Sequence, residues 1–131
     1  MSQPALRHKV LIVDDEKIIP DTLAMILNQG GFEARAVYAG QNAFDLAPAF
    51  QPDMLISDVF MADINGVDAA IQMRAMLPDV RVFLLSGQTA TAEMISNSKA
   101  GNLGFEVLVK PVHPRDLLDK LHNAVPAKHA A

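Results

Sequence analysis

Four short apolar runs in this chain each stop at a polar residue. KVLIV at 9–13 meets Asp14 and Asp15, DMLIS at 53–57 meets Asp58, VRVFLL at 80–85 meets Ser86, and FEVLV at 105–109 meets Lys110. Continuous apolar runs of this length are the pattern of strands buried on both faces. A fifth run, FEARAVY at 32–38, is more polar and partly alternating, which suits an edge strand. Between the runs the apolar spacing turns helical. Ile19, Leu23, Ile26 and Leu27 predict a helix over 16–29, stopped by Gly30-Gly31. A short helix over 41–47 is expected to end at Pro48. Helices follow over 65–76 and, weakly, over 89–100, where only Met94 and Ile95 are large and apolar; this last is expected to be the least stable element. Pro114 opens a final helix over 114–125, Pro126 ends it, and 126–131 form a frayed tail.

Strands alternating with helices imply right-handed crossovers and a parallel sheet covered on both faces. The expected fold is α/β: a doubly wound, flavodoxin-like (βα)5 unit spanning 1–131 as one domain, with a core over about 7–125. The edge character of 32–38 favours the strand order 2-1-3-4-5. In such sheets ligands bind beyond the carboxyl ends of the strands, where the order reverses. The four polar stops occupy those ends.

Composition changes this picture little. The chain has 131 residues, half of them apolar, and a net charge of −4. Lys and Arg are scattered, so nothing calls for direct nucleic-acid binding. No Cys is present, which excludes disulfides, thiolate zinc sites and cysteine nucleophiles. MSQPALRHK does not read as a signal peptide, and no apolar stretch is long enough to span a membrane. A cytoplasmic protein is expected.

The chemistry lies in the polar stops. Asp14, Asp15 and Asp58 would crowd three carboxylates together, and a hard cation resolves the repulsion. Magnesium suits few carboxylates plus water and phosphate oxygens. Lys110 offers a point charge to a phosphate oxygen and Ser86 a hydroxyl donor. The amides of Val59 and Gly87 are further candidate donors. Together these groups suit phosphoryl transfer, with Asp58 as the nucleophile that forms an aspartyl phosphate.

With those residues in place, VLIVDDE, DMLISDVFMADINGVD, LLSG and VLVKP together resemble the receiver domain of two-component response regulators, over essentially the whole chain. The family shares the 2-1-3-4-5 order, so that order rests on the resemblance as well as on the pattern. The resemblance implies that Asp15 binds Mg2+ directly with Asp14 beside it, that Asp58 is both metal ligand and phosphorylated residue, and that the Phe60 carbonyl is the backbone ligand. It gives Ser86 the family's hydroxyl role and Lys110 its lysine role, and it implies a cis Lys110–Pro111 bond. The phosphoryl donor would be a histidine kinase or phosphotransfer protein. The output would be an unidentified protein target, with a phosphorylation-dependent homodimer as an option, and the switching surface would lie around 89–100, 105–109 and 114–125. With no room for an output domain after Pro126, a stand-alone receiver or one cut from a longer protein is expected.

Two departures stand out. Met61-Ala62 replaces the family's usual Met-Pro, which loosens the loop without removing a ligand. Val107 replaces the usual Tyr or Phe that swings inward on activation, with Phe105 two residues earlier on the same face. The second departure motivates a rival reading, a degenerate receiver serving as a phosphorylation-independent interaction module. A magnesium-dependent phosphatase is the third, disfavoured because the loops are short and no cap is inserted. No separate substrate turnover is expected, beyond self-phosphorylation and self-dephosphorylation at Asp58. Gln88 and Phe60 flank the site where water would enter. Glu16 reads as a first-turn helix acid, and Asp63, Asp68 and Asp79 as surface charges or caps. His8, His113, His122 and His129 lack metal spacing.

Overall fold

The computed structural model of the protein describes residues 7–96 and 103–124, apart from the side chains of 89, 90 and 96. Strands β1 (Lys9–Val13), β2 (Glu33–Val37), β3 (Met54–Asp58), β4 (Arg81–Ser86) and β5 (Glu106–Val109) alternate with helices α1 (Ile18–Gln29), α2 (Gly40–Phe50), α3 (Gly66–Met76), α4 (Thr89–Ser96) and α5 (Pro114–Ala124). All five strands are parallel, in the order β2-β1-β3-β4-β5. This is the expected doubly wound arrangement.

Period-two alternation divides the apolar strand residues between two cores. Leu11, Leu55, Val82 and Leu84 face Ala43, Ala47, Phe50, Ala70, Met73 and Ile95 of α2, α3 and α4. Val10, Ile12, Met54, Ile56, Phe83 and Leu85 face Leu23 and Leu27 of α1 and Leu117 and Leu121 of α5. Each fully buried side chain of this size stabilises the fold by about 1.5–3 kcal/mol. At the sheet edge, the Asn28 side chain donates to the Ala34 carbonyl at 3.1 Å and accepts from its N–H at 2.8 Å. It thereby satisfies backbone groups of β2 that no strand pairs.

The boundaries differ from expectation in ways that have physical causes. Strands β3 and β4 begin and end one residue later than predicted, so Asp58 and Ser86 belong to the ladder: Asp58 registers with Leu85 and Ser86 with Val109. Helix α1 starts at Ile18, not residue 16, because the Asp14 carboxylate accepts the Glu16 N–H at 3.0 Å and holds the chain in a turn. Glu16 therefore precedes the helix, and the first-turn acid is Asp21. Helix α2 runs through Pro48 to Phe50 rather than ending there. Buried Ala47 and Phe50 hold its last turn on the core, and Gln51, at φ 53°, closes it by donating to the Ala47 carbonyl. Gly30 caps α1 and Gly31 takes φ 102°, as the Gly-Gly stop requires. The expected stretch of α4 beyond residue 96, Val125, Pro126 and the tail lie outside the described residues.

Candidate functional site

Because the strands are parallel, their carboxyl ends share one edge, and the polar stops meet there. The Lys110 Nζ lies 2.8 Å from Asp58 Oδ1 and 3.3 Å from Asp14 Oδ2. One carboxylate oxygen from each of Asp14, Asp15 and Asp58 falls within 4.8 Å of the others. Asp14 is buried, Asp15 exposed, and Asp58 at the margin of the core. The Lys110–Pro111 peptide is cis, as expected.

Burial pushes the Asp58 carboxyl above the ordinary carboxylate range; the hydrogen bond and charge of Lys110 oppose this, while Asp14 and Asp15 add to it. For Lys110, burial alone lowers the pKa, but contact with Asp58 and then Asp14 outweighs it and leaves the ammonium more basic than usual. One cation thus serves two carboxylates, with a third close by. Hard oxygen donors in this number fit Mg2+, which takes one or two carboxylates and completes its shell from water and phosphate.

The loop after Asp58 is fastened at several points. Asp15 Oδ2 accepts the Ala62 N–H at 3.0 Å. Asp63 accepts the N–H groups of Gly40 and Gln41 at 3.1 and 3.0 Å, so it caps α2 from a distant segment, and these bonds hold its carboxyl below the ordinary range. Asn65 caps α3 by accepting from Val67 at 2.7 Å, and Gly66 donates to the Val59 carbonyl at 2.7 Å. A Cβ on Gly66 would stand 1.9 Å from the Asp58 carbonyl oxygen, so only glycine lets α3 start this close to the strand end. Gly66 and the capping partner of Asp63 were not identified from sequence; the DINGVD segment held the only signal, an Asn–Gly helix start.

Two expected donors are engaged elsewhere. The Val59 N–H donates to the Leu85 carbonyl at 3.0 Å, because the β3–β4 ladder runs one residue past Asp58, so it is not available to an anion. The buried Ser86 hydroxyl sits at the strand end but donates to the Gln88 carbonyl at 3.0 Å and accepts its N–H at 3.3 Å, a local turn rather than a contact with Asp58. Among the described residues, the amides of Gly87 and Phe60 have no hydrogen-bond partner. The Phe60 side chain is 64% exposed beside the site.

On the β5 side, Val107 is half-buried against the α2–α4 core. Phe105, just before β5, is buried under the Arg74 guanidinium, whose carbon lies 5.1 Å from the ring centre. Arg74 also donates to the Leu103 carbonyl at 3.2 Å, and its Nε is buried without a partner among the described residues. His113 accepts from the Arg115 N–H at 3.1 Å as the lead-in to α5, and His122 stacks on Phe32. Among the described residues no helix is long and apolar enough to cross a membrane.

A family model described as "Response regulator receiver domain" matches residues 10–122. Among curated relatives, the chain is 24% identical over 116 residues to the DNA-binding response regulator MtrA of Mycobacterium tuberculosis (strain ATCC 25618 / H37Rv), covering 88% of this chain and 50% of that protein. It is 26% identical over 113 residues to the response regulator MprA of Mycobacterium avium (strain 104), covering 86% and 49%. The chain thus spans about half the length of the curated relatives it matches. Among solved structures, the chemotaxis protein CheY4 of Vibrio cholerae superposes with a TM-score of 0.80 at 26% identity, covering 91% of this chain and 99% of that one. A CheY-like receiver domain protein from Methanospirillum hungatei JF-1 shares the fold, with a TM-score of 0.79 at 24% identity over 89% and 92% of the two chains.

Proposed function

The chain belongs to the response regulator receiver domain family, and we propose that it is a phosphoacceptor switch whose acceptor is Asp58. The observation that carries this reading is Lys110, held between Asp58 and Asp14 while Asp15 completes a cluster of three carboxylates. In the proposed reaction the P–N bond of a phosphohistidine on a histidine kinase or phosphotransfer protein breaks. A P–O bond to an Asp58 carboxylate oxygen forms, the donor imidazole keeps the electron pair, and a proton from solvent neutralises it. Lys110 exchanges its contact with Asp58 for one with the transferred oxygens. The unpartnered amides of Phe60 and Gly87 supply donors, and Ser86 joins them by turning away from Gln88. Asp14, Asp15, Asp58 and the Phe60 carbonyl would hold Mg2+, which when bound supplies the positive charge that balances the carboxylates and the incoming phosphoryl oxygens.

The apolar groove of about 370 Å³ beside Lys110, lined by Ile18, Ile19, Ile26, Pro111 and Val112, supports delivery by a protein donor. Ile18 is 81% exposed on its rim. Ile18→Glu is expected to slow transfer from a protein donor while leaving transfer from acetyl phosphate unchanged; equal slowing of both would contradict a docking role. The whole reading is tested with beryllium fluoride and Mg2+, which mimic an acyl phosphate. Amide resonances of Phe60, Gly87 and Lys110 should shift in the wild type and stay in place in Asp58→Asn. Stationary wild-type resonances would refute the assignment.

A second reading, a phosphorylation-independent interaction module, is motivated by Val107, which stands where the receiver resemblance implies an aromatic readout residue. Its signature would be full site occupancy by beryllium fluoride with no change in oligomeric state or partner affinity.

A further inference from the structure

We propose that the backbone N–H of Ala62 is a positioning group for Asp15, orienting its carboxylate for the cation before the cation arrives. The inference rests on the reading of Asp15 as a metal ligand. Asp15 is exposed and lies past the end of β1, ahead of α1, where neither ladder nor helix bonds fix the side chain. Its restraint comes from 47 residues away, where Ala62 donates to Oδ2 at 3.0 Å. With Oδ2 so engaged, Oδ1 remains for a cation.

The donor is itself held in place. Phe60 and Asn65 form a bridge across the loop, Gly66 ties its far end to the Val59 carbonyl, and Asp63, the next residue, is fastened to the start of α2. An amide in such a frame can aim a carboxylate, as hydrogen bonds to ligating carboxylates do at metal centres generally. The residue type matters because proline, whatever it adds in stiffness, has no N–H to offer. The loop expected to be looser for lacking proline at 62 has in return a bond that proline would forbid.

The test is equilibrium Mg2+ binding, followed by amide resonance shifts, in wild type, Ala62→Pro and Ala62→Gly. Ala62→Pro should weaken Mg2+ about tenfold, the low end for loss of such a partner because this bond faces solvent. Ala62→Gly, which keeps the N–H, should bind as the wild type does. Wild-type affinity in a folded Ala62→Pro protein would overturn the proposal while leaving the function reading intact. Absence of Mg2+ binding in the wild type would instead sink the function reading. If Ala62→Pro does not fold, hydrogen exchange decides: the Ala62 amide should exchange faster in Asp15→Ala than in the wild type, and an unchanged rate would overturn the proposal.

Discussion

Two loops leave neighbouring strands at the same edge of the sheet, one after Asp58 and one after Ser86, and they are built oppositely. The first is bonded to β1's end through Ala62, to α2 through Asp63, and to its own strand through Gly66. The second turns on itself, with Ser86 and Gln88 satisfying each other. The difference separates holding from responding. The three carboxylates of Asp14, Asp15 and Asp58 are gathered in advance, at electrostatic cost, whereas the Ser86 hydroxyl beside them has only a local partner. Towards β5, half-buried Val107 stands where the receiver resemblance implies an aromatic, and the nearby ring of Phe105 is held under Arg74.

The contrast is tested most strongly at two glycines. Gly66→Ala drives a methyl into the Asp58 carbonyl and should cost about 3 kcal/mol of stability, the upper range for overpacking. Gly87→Ala, in the loop after Ser86, meets open space and takes no positive φ, so a loss of less than about 0.5 kcal/mol is expected. Denaturant melts of both variants check this, and equal losses would erase the distinction between the two loops.

Next in size is Arg74→Ala. It removes the Leu103 hydrogen bond and the contact over Phe105, and should cost about 1–2 kcal/mol. Amide shifts should concentrate at 103–105 and leave 58–66 in place. Shifts spreading to the Asp58 loop would show that the two regions are one unit.

Asp58→Asn is expected to change stability less than Gly66→Ala or Arg74→Ala, and with the opposite sign. Because the Asp58 pKa is raised, chiefly by burial, the folded state holds its proton more tightly than the unfolded chain does. That stabilisation is complete below the ordinary carboxylate pKa and is lost as pH rises through the raised value. At neutral pH without Mg2+, Asp58→Asn should therefore melt higher than the wild type. The gain should shrink on acidification and on adding Mg2+. A lower melting temperature for the variant at neutral pH would contradict the net cost, chiefly from burial, of holding Asp58 ionised in the folded state.

Much of this was legible in the sequence because strand ends are marked by chemistry. The runs that stop at Asp14, Asp58, Ser86 and Lys110 located the sheet, its edge and the cluster together. What escaped notice depended on contacts between remote segments. Nothing local shows that Asp63 caps a helix beginning at residue 40, or that Ala47 and Phe50 keep α2 helical past Pro48. The Val59 amide illustrates a finer limit: moving β3 by one residue converts an available donor into a rung of the ladder. Ser86 shows another, since its position was evident but the competing turn with Gln88 was not.

The central claim, that Asp58 accepts a phosphoryl group within a cation-holding acid cluster, is tested most directly by intact mass after incubation with acetyl phosphate. The wild type with Mg2+ should gain the mass of one phosphoryl group, and should gain nothing in EDTA or as Asp58→Asn. An unmodified wild type, or the same gain in Asp58→Asn, would contradict the account.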